Sequence, residues 1–590
     1  MDSSVQTLAP DLWSTMRGVL ALDPRAFVAG LALNNAPLVA FVIVSLAGLS
    51  EAVGQSVVLF ANRIKPARFF YCLAINALLF VFGYLFLTLS TWAITYLPLA
   101  KHISLRTLAI AIALSYAPFL FSFLEALPYA GAPLGWILRI WYLLATLVGV
   151  AATGHLSLPE SVLYVGLGWL GVAIARQTVG RPVAVLGNRL MNAVSGVNFL
   201  GDESKALARL ENGGSAGAGL AVSAPAVQTS SPQTTISLRR WQMVSAWLLL
   251  IIVTVVIAVS IRPLQHVLFG WTFYLPVALR LPFDLLWFGV IALLVAALIA
   301  PLETLGWWAG WYGGQIVTGP SRAVGTPRAD GISRYMVYLD GVGQSSSKYT
   351  PDVETFLDAL TPALPQRIRL VRGLMVYSVL NKPLEQDPMW SNFWAVIDKL
   401  RFARPSSLIG MFVNLRNMLI VGVSADPRYG PIYNYGIAKQ LYEGLIDAGY
   451  QVGSGVPVTL VGYSGGGQMS AAAASFLKQA IKAPIEVISL GGVMSGTNDF
   501  LDLERLNHLV GDKDGVERMG PLFFPSRWKI VWNSYWNRAR KLGIITVTSL
   551  GPVGHQVPGG MFDPNARLPN GQTNLQHTIE EISDIVRAKP

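Results

Sequence analysis

Cysteine is almost missing from this chain: Cys72 is the only one in 590 residues, and it lies in an apolar run. No intramolecular disulfide and no cysteine-based zinc site can be built from it. Charge is scarce as well, at 13% Asp, Glu, Lys and Arg against 53% hydrophobic residues and a mean hydropathy of +0.48, where an ordinary soluble protein carries roughly 25% charged residues. That excludes a plain soluble enzyme and equally a disordered or fibrous chain. A basic stretch followed by a clean apolar core is absent from the N-terminus, where Asp2, Asp11, Arg17 and Asp23 interrupt the apolar residues. Met1 to Pro24 therefore does not read as a cleaved signal peptide.

The charges that exist are unevenly placed. Residues 1–300 hold 17 Lys/Arg and 10 Asp/Glu, and residues 301–590 hold 27 and 23. The hydrophobic excess belongs to the first half. Spanning a bilayer takes about 20 mostly apolar residues in a helix, because every backbone polar group must be satisfied internally. Charge-free runs of suitable length occur at Ala26–Ser50, Phe69–Ala100, Thr107–Leu124, Ile140–Pro159 and, shorter, Ser161–Ala175. Asn34, Asn35, Pro37 and Pro118 sit inside these runs and read as helix-packing or kink positions. A transporter is not favoured, because no paired intramembrane charges stand out.

Residues 181–240 combine a basic segment with Asn212–Leu238, a charge-free stretch of Gly, Ala, Ser, Thr, Gln and Pro that reads as a flexible linker. Residues 241–315 hold two further spans, Trp241–Ile261 and Leu281–Ala300. Leu264–Leu279 is a third candidate, but Pro263, Pro276 and Pro282 favour an interfacial or re-entrant piece. Trp307, Trp308, Trp311 and Tyr312 then suit an aromatic belt at the lipid boundary. With seven spans, the basic loops around Arg63–Arg68 and Arg176–Arg240 fall on one side with everything after Pro301, so the second half is expected in the cytoplasm of a multi-pass membrane protein. Basic cytoplasmic loops account for the +11 net charge, and no motif suggests nucleic-acid binding.

Residues 12–180, with Trp13, the Leu22-Asp23-Pro24 turn, Pro118, Gly131, Trp141 and about five hydrophobic segments, resemble the Yip membrane-domain family. The resemblance implies a five-helix scaffold or trafficking-type domain over 1–180 and carries no catalytic residues.

From Ile332 apolar strands alternate with amphipathic helices, the signature of an α/β domain with a mainly parallel sheet. Strands are expected at Tyr335–Leu339, Ile368–Val376, Val458–Val461, Ile485–Leu490, Leu506–Val510 and Ile544–Ser549, and helices at Pro431–Ala448, Gln468–Ile481 and Leu575–Arg587. The run Val458-Thr459-Leu460-Val461-Gly462-Tyr463-Ser464-Gly465-Gly466-Gly467 leads from a strand into a helix with small residues at each tight position. This is what a nucleophile elbow needs: Ser464 on a sharp turn, and the Gly465 N–H at a helix N-terminus where an oxyanion can sit. A phosphate-binding loop would require a Lys-Ser/Thr that is missing here.

A serine hydroxyl needs a base, and the base an orienting carboxylate, in the chain order Ser, acid, His. His555 follows the last strand in a loop, whereas His508 lies within a strand and His577 in a terminal helix, so the latter two read as structural. For the acid, Leu509-Val510-Gly511-Asp512-Lys513-Asp514-Gly515 closes a strand. Asp514 is first choice, Asp512 second and Asp499 third. A second oxyanion donor is expected from Tyr338-Leu339-Asp340-Gly341-Val342-Gly343-Gln344, with the Val342 N–H preferred and Gly341 and Gly343 as neighbours in register.

Together these motifs resemble the α/β-hydrolase superfamily over 330–590, with a cap insertion at about 380–430 that contains Trp390, Phe393, Trp394, Phe402 and Phe412. The resemblance implies an esterase- or lipase-like serine hydrolase, with a thioesterase or amidase open, that needs no metal or organic cofactor. Its Gly-x-x-Asp turn is what favours Asp514. The expectation is a membrane-anchored enzyme acting on a carboxylic ester, with the bilayer as partner. The alternative is a membrane scaffold or trafficking subunit whose hydrolase-like domain is a binding module. Phe523–Lys541 interleaves aromatic and basic residues, and reads either as a helix packed on the sheet or as a stretch that rests on anionic lipid.

Overall fold

The computed structural model describes residues 8–98, 100–177, 194, 265–266, 269–311, 331–386, 391–403 and 410–588. The expected span Trp241–Ile261 lies outside them, as do the basic segment and linker over 181–240 apart from residue 194. The chain divides into two compact units, Met1–Ala206 with Leu248–Leu298, and Leu207–Trp247 with Ile299–Pro590.

The first unit is helical. Its helices are α1 (Leu8–Leu20), α2 (Pro24–Ala32), α3 (Ala36–Gly54), α4 (Pro66–Ile94), α5 (Leu105–Ser115), α6 (Gly131–Gly154), α7 (Leu158–Gln177) and α8 (Val277–Ile299). Asp23 caps α2 by accepting from the Arg25 N–H, and Pro24 presets its first turn. The apolar run Ala26–Ser50 is not one helix: Leu33 is extended, and α3 starts afresh with Pro37 in its first turn. Buried Asn35 donates to Asp11 Oδ2 at 2.9 Å, tying this break to α1. Pro118 acts as expected of a residue without an N–H: α5 gives way to a 3₁₀ stretch, Ala117–Ala126.

Among the described residues five helices are long and apolar enough to cross a membrane: Ala36–Gly54, Arg68–Ile94, Leu105–Ala126, Gly131–Gly154 and Val277–Trp308. Helix α7, at the expected fifth run, is apolar but shorter. Within Leu264–Leu279 the described residues include 265, 266 and 269, all helical, and a 3₁₀ turn, Gly270–Tyr274, after which α8 begins at Val277 and carries Pro282 inside it. The interior collects Phe27, Ile43, Leu114, Tyr142 and Val150, while Phe70, Leu78 and Phe82 of α4 and Leu285 and Phe288 of α8 face outward. A surface of Leu and Phe over a tightly packed interior suits a lipid solvent. Among the described residues two charge pairs join residues of these candidate spans: Arg139 Nη2 lies 3.2 Å from Glu125 Oε2, and Arg280 Nε 3.0 Å from Asp284 Oδ2.

The second unit opens with α9 (Leu302–Trp308) and holds a six-stranded, wholly parallel sheet in the order β2-β1-β3-β4-β5-β6. The strands are β1 (Arg334–Leu339), β2 (Ile368–Val371), β3 (Val458–Tyr463), β4 (Ile485–Leu490), β5 (Arg505–Val510) and β6 (Ile545–Ser549). The helices are α10 (Pro351–Ala363), α11 (Ser391–Ala403), α12 (Gly410–Ala425), α13 (Gly430–Asp447), α14 (Gly465–Ile481), α15 (Tyr535–Lys541) and α16 (Asn574–Arg587). β1, β3 and β4 are buried at every residue because helices cover both faces, which explains why they read as continuous apolar runs. On one face Met336, Tyr338, Val461 and Tyr463 pack with Phe356 and Leu360 of α10 and Ile582 and Val586 of α16. Helix α14 packs on β3 and β4 and carries α12 and α13.

Two expectations are corrected here. β2 stops at Val371 rather than Val376, because Gly373 turns the chain at φ +88° and donates its N–H to the Tyr349 hydroxyl instead of a neighbouring strand. Trp308 is not part of a lipid-facing belt: it is buried edge-on against Tyr435 of α13, with ring centroids 6.1 Å apart. The expected cap stretch forms α11 and α12. Trp394 is buried and Phe412 exposed, while Trp390 and the side chains of Phe393 and Phe402 lie outside the described residues.

Candidate active site

The order of the strands reverses at β1, which pairs with β2 on one edge and β3 on the other. Chain leaving the carboxyl ends of β1 and β3 therefore parts to opposite sides, the switch point where ligands bind in open parallel sheets. Ser464 stands at the end of β3 and the Gly341 loop at the end of β1.

Ser464 takes φ +52° and ψ −121°, a conformation that L-residues adopt only under constraint, at a cost of about 1 to 3 kcal/mol. What holds it is a set of close approaches. A Cβ on Gly462 would strike the Gly466 carbonyl and lie 2.5 Å from Ser470 Oγ, and one on Gly466 would strike the Leu339 carbonyl and lie 2.6 Å from that of Asp340. The Ser464 N–H donates to Leu490 O at 3.0 Å, and its carbonyl accepts from Gly467 and Val493 N–H at 3.0 and 3.2 Å. Strand β3 thus enters and α14 leaves on a turn only small residues can make.

Asp514, in the turn after β5, is 0% exposed. Its Oδ1 accepts the N–H groups of Val516 and Glu517, each at 2.9 Å, and its Oδ2 lies 2.8 Å from His555 Nδ1. A carboxylate only accepts, so Nδ1 carries the proton and Nε2 is left as a lone-pair base. His555 is held from two further sides: its carbonyl accepts the Tyr463 hydroxyl at 2.8 Å, and its ring stacks on Tyr463 with centroids 5.1 Å apart. Gly491, at φ +55° after β4, leaves room for this pair, since a Cβ there would lie 2.5 Å from Asp514 Oδ2 and 3.1 Å from His555 Nδ1.

The other acid candidates lie elsewhere. Asp512 is exposed and accepts from Ser549 Oγ at 2.7 Å, and Asp499 opens a surface 3₁₀ turn, Phe500–Asp502. His508 is buried with both ring nitrogens engaged, Nδ1 at 3.1 Å from Ser489 Oγ and Nε2 at 3.2 Å from Glu517 Oε1. His577 stays in the first turn of α16.

The Gly341 loop lies against the elbow: a Cβ on Gly341 would be 3.3 Å from Ser464 Cβ, and one on Gly465 would be 2.8 Å from Val342 Cγ1. Gly341 drops out as a donor because Asp340 Oδ1 takes its N–H at 2.8 Å. Among the described residues no acceptor takes the Val342 N–H. The carbonyls of Val342 and Gln344 both accept from Asn417 Nδ2 of α12, at 2.8 and 2.6 Å, and Arg416 next to it bonds Tyr377 O and ion-pairs with Glu303 of α9 at 2.7 Å. The Tyr377 hydroxyl donates to Asp340 O at 3.0 Å.

Sequence reasoning missed Asn417, Tyr463, Glu517 and Gly491. Tyr463 and Gly491 follow strands named above and could have been found by asking what must surround the elbow. Asn417 carries no local signal, since only tertiary packing brings α12 to the loop. Behind Asp514, burial would push the Glu517 carboxyl up, but the hydrogen bond and charge of His508 and Arg527 hold it at about 2. Burial pushes His508 down despite Glu517. Among the described residues no group of three or more His, Cys, Asp or Glu could hold a metal ion. Comparisons with family models, curated proteins and solved structures found no match for the chain.

Proposed function

We propose that the chain is a membrane-anchored serine hydrolase that cleaves a carboxylic ester, lipid-like in character, through Ser464, His555 and Asp514, with its α/β unit in the cytoplasm. The observation that carries this reading is the bond from His555 Nδ1 to fully buried Asp514 Oδ2, at the same sheet end as the constrained Ser464. That bond orients a neutral imidazole whose Nε2 is available to the serine.

The chemistry follows from the atoms. Ser464 Oγ attacks the ester carbonyl carbon while its proton passes to His555 Nε2. The carbonyl π electrons move to oxygen, where the N–H groups of Gly465 and Val342 stabilise the oxyanion, each donor contributing about 3 to 4 kcal/mol of barrier. The imidazolium, held by Asp514, gives its proton to the departing alkoxide as the C–O bond breaks. Water then adds to the acyl-enzyme by the same route and restores Ser464. Five helices able to cross a bilayer support membrane anchoring, which raises the effective concentration of the unit near esters held in lipid.

The test is labelling of the purified full chain by a fluorophosphonate, with turnover of p-nitrophenyl esters of graded chain length. Labelling that disappears in Ser464→Ala and His555→Ala, with turnover favouring long acyl chains, is expected. Labelling unchanged in both variants overturns the assignment, and a preference for short soluble esters removes its lipid part.

A further inference from the structure

The stretch between Asp514 and β6 is two-faced. Its inner side is packed: Phe524 and Trp536 are buried, and Arg527 lies over the Trp536 ring at 4.3 Å and bonds Glu517 Oε1 at 2.8 Å. Its outer side carries Leu522, Phe523, Trp528, Ile530 and Trp532 into solvent, with Ile530 81% and Trp532 78% exposed. The inner side matches the expected helix packed on the sheet, while the outer side is exposed.

The outward side chains stand on a fixed scaffold. Asn537 Nδ2 donates to the carbonyls of Trp528 and Val531 at 2.9 and 3.0 Å, Trp528 Nε1 donates to Pro521 O at 2.6 Å, and Ser534 caps α15 by accepting from Asn537 N–H at 3.2 Å. The segment also lies at the site's end of the sheet. Ser526 Oγ accepts the Gly496 N–H at 3.0 Å, and Trp536 N–H donates to Gly496 O at 3.3 Å, in the loop that follows β4. Residues 518–541 hold six Lys/Arg and no Asp/Glu. Arg518, Lys529, Arg538, Arg540 and Lys541 are all exposed.

Exposed aromatic and aliphatic side chains of this extent on a soluble face mark an interaction surface. Charge of one sign around them selects an anionic partner, and Trp among Lys and Arg is the composition of the lipid-water boundary. A chain with helices able to cross a bilayer keeps such a surface within reach at all times. We propose that the outer face of residues 518–541 docks on an anionic bilayer surface, with Ile530 and Trp532 entering the headgroup layer and Lys529, Arg540 and Lys541 on lipid phosphates. This stands independently of whether Ser464 is a nucleophile.

The test uses the full chain in lipid nanodiscs. With Cys72→Ser as background, Ile530→Cys carries an environment-sensitive fluorophore, and exposed Asn570→Cys carries the same label as a control. In discs with about 30% phosphatidylserine the Ile530 label is expected to shift to the blue and to be quenched by lipid-borne nitroxides, while the control stays water-like. Lys529→Glu, Arg540→Glu and Lys541→Glu together should reduce quenching at least about fivefold, because each reversal turns attraction to the leaflet into repulsion. Water-like, unquenched emission at Ile530 in anionic discs overturns the proposal. So does equal quenching in purely zwitterionic discs, or a shift that persists without lipid and grows with protein concentration, which would assign the face to a second copy of the chain.

Discussion

Two buried histidines stand near the carboxyl ends of adjacent strands, each bonded to a carboxylate, and they differ in one nitrogen. His508 on β5 spends Nδ1 on Ser489 and Nε2 on Glu517, which Arg527 also holds. His555 after β6 spends Nδ1 on Asp514, and among the described residues nothing takes Nε2. The first arrangement is closed and can only add rigidity. The second leaves one ring nitrogen unengaged among the described residues, at the sheet end that also carries the strained Ser464. The two are joined through Glu517, whose N–H donates to Asp514 Oδ1 while its carboxylate serves His508, so the closed network braces the open one.

The largest expected effect separates them by function. Ser464→Ala or His555→Ala should lower kcat by about 10⁴ to 10⁶, with thermal unfolding unchanged; a comparable kcat loss in His508→Gln would erase the distinction. Asp514→Asn keeps the shape but reverses which nitrogen of His555 is protonated, and should cost about 10⁴ in kcat. That substitution also tests the bracing role, because Oδ1 retains its two backbone donors and the fold should survive.

Breaking the closed network should act on stability instead. Glu517→Gln leaves Arg527 without its counter-charge and is expected to cost about 3 to 5 kcal/mol in denaturant unfolding, with fluorophosphonate labelling retained below the transition. The pH dependence has a definite sign. Glu517 at about 2 when folded, against 4.5 ordinarily, contributes stability that is complete above about pH 4.5 and lost as pH falls towards 2. His508 is depressed from 6.5, so the unfolded chain takes up its proton first and stability already begins to fall below about that pH. Acid titration of unfolding should display both losses in the native chain, with the lower one absent in Glu517→Gln.

The smallest predicted effect concerns positioning. Asn417→Ala removes two bonds to the Val342 loop and should slow acylation up to about 10²-fold with little change in KM. A change in KM alone would assign Asn417 to substrate binding rather than to the oxyanion loop.

The elbow could be read from sequence because it is local: Gly462, Ser464 and Gly466 lie within one turn, and every constraint on that turn acts between neighbours or against the strand just left. The alternation of apolar runs marked five of the six strands to within about two residues for the same reason, as strand burial imprints directly on composition. The apolar run at β2 outlasts the strand because Leu374–Tyr377 are buried in a loop, and burial alone does not distinguish loop from strand. Trp308 looked like a lipid anchor because composition does not reveal which apolar surface a tryptophan meets.

Order along the chain nominates Ser464, His555 and a short list of acids as candidates, since the types of residue that acyl transfer demands are few. The Gly-x-x-Asp turn favours Asp514 over Asp512, two positions away, but the different surroundings of the two belong to the fold. One side chain turns inward to three donors and the other outward to Ser549, a difference set by how the β5 and β6 loops pack and not by any local propensity. The closing of His508 and the grip of Asn417 on the loop likewise arise between residues 9 to 75 positions apart, where only a folded sheet brings the partners within hydrogen-bond reach.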